Sequence, residues 1–415
     1  MSWTRVQSAL TEEQENRIVD EAARQLAGLS LQAQGSQQVV MQRATEATYD
    51  RMRALNTPQI GIAQTQAIVG RIVARVSGLG FLFPLIPPQS SDFTDVAMNA
   101  DGSVWARRKG DMEFERMDIR PTRQEAWRAV EALLAPEGRA CTEATPTVDV
   151  KRGRESEIGF GGARVKVIHT RVAPGDGYPV IALRLFEPKP VPPAQIVKWG
   201  VFPQAVVDSL LDVVDRRLRV LVIGGTGSGK TTLLAALCHG IRPQARIVKA
   251  EDPEEIWLPH PNVVTLEARP SPPGSEVPPY TIADAVDDAM RLAPAYVIVG
   301  EVRRGDAALG LFRALMSDHA GLTTFHAEGP SQAVLRLATI LYADARVEFA
   351  AARALFNQAI DLVIHVGWRG GQRRALGVWE VVEGDFGFEE RGDVRFRKLW
   401  TPGDEIMQPA TRERG

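Results

Sequence analysis

The first part of the chain repeats apolar positions at helical spacing. Between about residues 12 and 78, Ile18, Ala22 and Leu26 step by four, as do Val40, Ala44 and Thr48, the last a weak member of its stripe. Stripes of this period belong to amphipathic helices, and breaks near Gly35 and Pro58 predict three of them. Periodicity reports burial and not chemistry, so residues 1–78 read as a helical extension for packing or docking.

From 79 to 187 the pattern shortens to strands and turns. "DVAMNADGSVWARRKGDMEFERMDI" sets an Asp-Gly dipeptide between two strand-like runs, a hairpin signal. "TRQEAWRAVEALLAP" predicts a helix that stops at Pro136, and "ARVKVIHTRV" and "PVIALRLF" predict further strands. This is a small α/β domain. "EPKPVPP" (187–193) predicts a stiff, extended connector, assigned to residues 188–200. Beyond it, helix and strand patterns alternate to about residue 382, as in a parallel sheet with crossover helices. "RPSPPGSEVPP" (269–279) interrupts this domain as a loop. "GDFGFEERGDVRFRKLW" predicts a closing strand pair, so the domain spans 201–400 and a disordered tail spans 401–415.

Composition adds exclusions. An apolar fraction of 44% and a charged fraction of 24% are those of an ordinary globular protein. A net charge of −2 supplies no global basic field for nucleic acid or an anionic membrane. The two cysteines, Cys141 and Cys238, have no metal-ligand spacing, fit a reducing cytoplasm, and read as small buried hydrophobes. The N-terminus turns charged before an apolar core could form a signal peptide. No apolar run is long enough to span a bilayer. The greasiest stretch, "GFLFPLIPP", is short and broken by Pro84, Pro87 and Pro88. The expectation is a cytoplasmic protein that reaches any membrane through a partner.

"LRVLVIGGTGSGKTTLLAAL" changes the picture most. Gly224, Gly229, Lys230 and Thr231 match GxxxxGK[ST] between a buried strand and an apolar helix, the context that confirms a phosphate-binding loop. The loop glycines let backbone N–H groups curl around phosphate oxygens at a helix N-terminus. The nucleotide-binding set is Gly224, Gly225, Thr226, Gly227, Ser228, Gly229, Lys230, Thr231 and Thr232. Lys230 is expected on the β/γ-phosphates of ATP and Thr231 on Mg²⁺.

The next strand, "ARIVKA", runs into Glu251, Asp252, Glu254 and Glu255. One of these could orient or deprotonate an attacking water; the string also reads as a solvated turn opened by Asp-Pro. A third strand, "AYVIVGE", ends at Gly300 and Glu301, where a carboxylate holds Mg²⁺ or its water, with Arg303 and Arg304 bracing the loop. "TIADAVDDAMRL" before it is a helix with Thr281 as N-cap. A fourth strand, "LTTFHAEG", ends in Thr324 and His326, a polar pair at the same edge. By spacing alone His326 reads either as a γ-phosphate contact or as a solvated loop histidine. "WRGGQRRAL" (368–376) mimics the signature loop of ABC transporters but follows Glu301 rather than preceding it. It reads better as a basic hairpin turn between "AIDLVIHV" and "ALGVWEV".

Taken in order, "GGTGSGKTTLL", "EDPEE", "GEVRRGDAALGLFRAL" and "GLTTFHAEGP" resemble the Walker A, Asp box, Walker B and His box of type II/type IV secretion ATPases. The likeness is strongest to the branch serving Flp/Tad pili and conjugative transfer, and it covers roughly residues 79–400. "VIALRLFEPKP", "AIDLVIHV" and "LGFLFPLIPP…FTDVAMNADGSVWARRKG" also look like that branch. The resemblance implies an α/β chain: a RecA-like P-loop ATPase domain preceded by a small α/β, PAS-like domain and a helical extension. It also implies a homohexamer with nucleotide bound between the two domains. Carried over by motif position, Glu255 becomes the general base, Glu301 the Walker B acid and His326 the His-box residue. Arg184 in "IALRLF" and Arg164 in "GARVKV" match N-domain arginines that contact phosphates. Two departures stand out: Ala295 replaces the acid of an Arg-Pro-Asp that relatives usually carry, and Ala327-Glu328 replaces Ala-Asn.

The expected function is a hexameric Mg-ATP hydrolase powering pilus assembly, protein secretion or conjugative DNA transfer. Its expected docks are inner-membrane platform or secretion-channel proteins. A helicase-like ATPase acting directly on nucleic acid is the alternative, disfavoured by the absence of a basic, aromatic-interleaved stripe. A non-enzymatic, nucleotide-regulated scaffold is disfavoured by the intact Lys230, Thr231, Glu255 and Glu301.

Overall fold

A computed structural model describes residues 10–26, 37–55, 57, 60–76, 78–87, 89–153, 162–187, 189–271, 276–382 and 394–413. The chain divides into two compact units, Met1–Pro188 and Lys189–Gly415.

The first unit opens with helices α1 (Glu12–Leu26), α2 (Gln37–Ala54) and α3 (Ile62–Val76). The predicted stripe residues Ile18, Ala22, Leu26 and Ala44 are buried together with Ile68, Ile72 and Val73. Thr48 is fully buried, and its hydroxyl donates to the Ala44 carbonyl at 2.7 Å, so a polar residue sits in the stripe without an unmet hydrogen bond. Gly35, Pro58 and the Val40 side chain lie outside the described residues. A 3₁₀ turn, Gly80–Leu85, follows; its Phe83 enters the helical core while Leu82 and Leu85 enter the next one.

Strands β1 (Phe93–Met98), β2 (Val104–Arg108) and β3 (Glu115–Arg116) precede helix α4 (Arg123–Leu134), and β4 (Thr147–Arg152), β5 (Ala163–Ile168) and β6 (Val180–Leu185) follow it. They form one antiparallel sheet in the order β3-β2-β1-β6-β5-β4. The Asp-Gly hairpin joins β1 to β2, with Gly102 at φ +78°. Thr122 starts α4 with a capping box to Glu125. Val96, Met98, Val165, Val167, Ile181 and Leu183 share a core with Ala126, Ala129 and Leu133 of α4. The period-2 alternation leaves charged side chains on the sheet's other face.

The second unit begins inside the proline-rich stretch. Residues 193–198, expected to be extended, form helix α5 (Pro193–Lys198), and Val191 and Ile196 are buried in the unit's core. A proline at the first turn of a helix loses no hydrogen bond, so proline content alone did not distinguish connector from helix start. Helix α6 (Gln204–Asp215) leads to β7 (Val220–Ile223), α7 (Lys230–Leu237), β8 (Ile247–Glu251), β9 (Val263–Glu267) and α8 (Ile282–Met290). Then come β10 (Tyr296–Val299), α9 (Gly305–Met316), β11 (Ala320–Phe325), α10 (Pro330–Ala345) and α11 (Phe349–Ala359). Strands β12 (Leu362–Arg369), β13 (Gln372–Val382) and β14 (Arg395–Trp400) close the unit. The eight-stranded sheet runs β14-β13-β12-β7-β11-β10-β8-β9, parallel from β12 to β9 and antiparallel at β13 and β14.

Both faces are covered. Val220, Val222, Ile298 and Leu322 pack with α6 and α7; Leu221, Ile223, Val297 and Val299 pack with α8, α9, α10 and α11. Such two-sided burial explains why these strands read as continuous apolar runs rather than alternating ones. Residues 384–389 of the predicted closing pair lie outside the described residues; the pair that is described is β13 with β14. The expected disordered tail is instead packed through residue 413. Met407 and Ala410 are buried, and Arg412 pairs with the fully buried Asp361 at 2.8 Å.

Candidate nucleotide-binding site

In a parallel sheet, every strand end of the same sense lies on one edge, where α/β folds bind ligands. Strand register places the four sequence motifs there together. Ile223 pairs with Phe325, Val299 with Thr323 and Ala250 with Val299. Gly224, His326 and Gly300 therefore leave the sheet at nearly the level where Glu251 ends β8.

The loop between β7 and α7 is shaped by contacts that exclude side chains. A Cβ on Gly224 would stand 2.1 Å from the Val366 carbonyl oxygen and 2.6 Å from Ser228 Oγ, so only glycine fits. Gly227 and Gly229 have φ of +70° and +93°. Gly225 is half-buried, Thr226 is exposed, and Thr231 and Thr232 are half-buried at the start of α7. Lys230 is buried, and its Nζ donates to the Gly224 and Gly225 carbonyls at 3.2 and 3.0 Å. Burial pulls the Lys230 pKa below the ordinary lysine value; the Glu301 carboxylate opposes this and Arg303 adds to it. Ser228 Oγ is buried with no hydrogen-bond partner among the described residues.

Of the acids at the end of β8, Glu251 is not a solvated turn residue. It is buried, and its Oε2 accepts from the backbone N–H groups of Glu255 (2.9 Å) and Ile256 (2.8 Å). Asp252 is exposed, whereas Glu254 and Glu255 are half-buried. At the end of β10, Glu301 is 28% exposed and takes the Arg303 Nε at 2.6 Å; Arg304 pairs instead with Asp306. The expected bracing arginines thus serve two different carboxylates. Thr324 and His326 separate in role. Thr324 is fully buried and donates to the Gly300 carbonyl at 2.7 Å, tying β11 to β10, while His326 is half-buried just beyond the strand.

Arg164 and Arg184 lie in the first unit, directly opposite each other on β5 and β6, so their side chains share one face. Arg164 forms a two-point pair with Asp149 (3.2 and 3.1 Å). Arg184 donates to Asp95 at 3.3 Å, and Arg107 holds the other oxygen of the same carboxylate. Of the cysteines, Cys238 is fully buried and Cys141 half-buried, and burial pushes both thiol pKa values up, away from the reactive thiolate.

Two contributors escaped the motif search. Arg373, in the basic hairpin between β12 and β13, donates from Nε to the Gly227 carbonyl at 2.9 Å while its guanidinium lies over the Trp368 ring. Lys249 is buried in the middle of β8; a lysine inside an apolar strand run is the signal that marks it. The Arg373 partner lies 146 residues away and cannot be read from local spacing.

Fold and edge together define a doubly wound P-loop protein with acids at the ends of β8 and β10, on the same edge of the sheet as the loop. The family model for type II/IV secretion system proteins matches residues 157–365, and the chain belongs to that family. It is 33% identical over 319 residues to Rv3659c of Mycobacterium tuberculosis, named provisionally as a conjugal transfer protein, covering 76% of this chain and 88% of that one. It is 31% identical to the conjugal transfer protein TrbB of Rhizobium radiobacter over 52% of this chain and 64% of that one. Among solved structures, the DotB ATPase of Legionella pneumophila shares the fold, with a TM-score of 0.50 at 19% identity, covering 69% of this chain and 77% of that one.

Proposed function

We propose that this chain is a homohexameric motor ATPase that hydrolyses Mg-ATP to power pilus assembly, protein secretion or conjugative DNA transfer. In this reading it is cytoplasmic and held at the inner membrane by platform or secretion-channel proteins. Among the described residues no helix is long and apolar enough to cross a membrane. Residues 79–187 act as the PAS-like domain and 201–400 as the RecA-like core. The observation that carries the reading is the convergence of the loop, Glu255, Glu301 and His326 at neighbouring strand ends. Family membership and the named conjugal-transfer relatives agree with it.

The loop suits a polyphosphate. Gly224 lies against the Val366 carbonyl with no room for a Cβ, and the buried Ser228 hydroxyl has no hydrogen-bond partner among the described residues. Thr231 and Glu301 are hard oxygen donors of the kind Mg²⁺ takes, and the ion would neutralise charge on the β/γ-phosphates. Lys230 exchanges the loop carbonyls for phosphate oxygens. Glu255 accepts a proton from the attacking water, an effect worth roughly 10²–10⁴ in rate. His326 contacts the γ-phosphate.

Purified protein is expected to release phosphate from ATP in the presence of Mg²⁺, and Lys230→Ala to abolish turnover. Normal turnover in that variant would sink the assignment. DNA-stimulated turnover with strand separation would replace it with the helicase-like reading.

A further inference from the structure

We propose that Lys249 is a positioning residue for hydrolysis: its buried ammonium pins the Glu251–Ile256 loop and so sets where Glu255 stands. The proposal rests on Glu255 being the base.

All five residues of β8 are buried, and the strand lies between two parallel neighbours. An ammonium there is costly unless every donor is met by a good acceptor. Lysine has three N–H donors, and three acceptors surround Lys249 Nζ: Glu251 Oε1 at 2.9 Å, Glu254 Oε1 at 2.5 Å and the Ile256 carbonyl at 2.6 Å. All three come from one short segment, which therefore wraps around a single charge. Glu251 carries the constraint further, because its second oxygen holds the Glu255 and Ile256 N–H groups. Glu251 also lies against the neighbouring strand end, since a Cβ on Gly300 would come within 3.1 Å of Glu251 Cγ. Lys249 thus acts on the loop that bears Glu255. Methionine at 249 would fill a similar volume but leave the loop without its shared donor.

The test is a double-mutant cycle between Lys249→Met and Glu255→Gln, read as steady-state kcat and KM for ATP and as the Kd of a fluorescent nucleotide. Lys249→Met is expected to lower kcat about tenfold or more with Kd unchanged. In the Glu255→Gln background it is expected to add nothing further, since residues that act as a unit are not additive. Additive losses, or kcat and Kd worsening together, would overturn the pin and leave Lys249 a matter of stability. Should Lys249→Met not fold, Glu254→Met removes one oxygen acceptor at a partly exposed position. It is expected to lower kcat a few-fold with Kd unchanged, and a wild-type kcat there counts against the pin. Failure of the base assignment looks different. Glu255→Gln at the wild-type rate sinks that assignment whatever Lys249 does, whereas a slow Glu255→Gln beside a wild-type Lys249→Met sinks only the pin.

Discussion

His326 stands one residue past a strand whose last polar side chain, Thr324, is spent on the Gly300 carbonyl. Two residues that looked alike in "LTTFHAEG" therefore differ because one falls inside the sheet and the other beyond it. His326→Ala is expected to keep ATP affinity and to slow turnover by roughly 10²-fold, the usual loss for one donor to developing charge. Nucleotide Kd and single-turnover rates separate the two, and unchanged kinetics would return His326 to an ordinary loop residue. The glycine at 224 was legible as part of a motif. That its neighbour is the Val366 carbonyl, from a strand well over a hundred residues later, was not.

The β12–β13 hairpin shows the same limit for a whole element. Its strands and its Gly370-Gly371 turn follow from the pattern, and Arg373 and Arg374 read only as part of a basic hairpin turn. In the folded protein Arg373 donates to the Gly227 carbonyl and is braced on Trp368. A loop that binds anions through its N–H groups gains when its carbonyls are held elsewhere. Arg373→Ala is expected to weaken nucleotide binding by about 1–2 kcal/mol, a factor of roughly 5–30, without unfolding the unit. Titration calorimetry beside a thermal melt checks this; equal affinity in the variant would show that the hairpin does not support the loop.

Across the second unit, the C-terminal segment closes the sheet's antiparallel end. Arg412 reaches Asp361 and the Asn357 carbonyl, and its backbone N–H meets Glu380. Arg412→Ala is expected to cost roughly 3 kcal/mol in urea unfolding, because it strips a buried carboxylate of its ion partner. Acid should act through Glu380. Burial alone would raise its pKa, but the Arg412 N–H, the Arg397 guanidinium and Thr411 together bring it below the usual 4.5. A depressed carboxylate stabilises the fold above its unfolded pKa and loses that contribution as pH falls through the folded one. The melting temperature should therefore decline below about pH 4.5, and less steeply in Glu380→Gln. Identical pH profiles would show that this carboxylate is not the anchor.

The sequence by itself determined the strand–loop–helix of the phosphate site, the strand-end acids and the alternation of elements, because each is written in local spacing and backbone preference. It also yielded the Thr281 N-cap, which needs only a few consecutive residues. Tertiary structure alone decided what each charge is for. Whether residues 193–198 extend or coil and whether 401–412 pack depend on partners distant in sequence. A carboxylate's free energy is set by the groups within a few ångströms of it: Lys249 meets Glu251 along one strand, but only the closed sheet brings Gly300 against it.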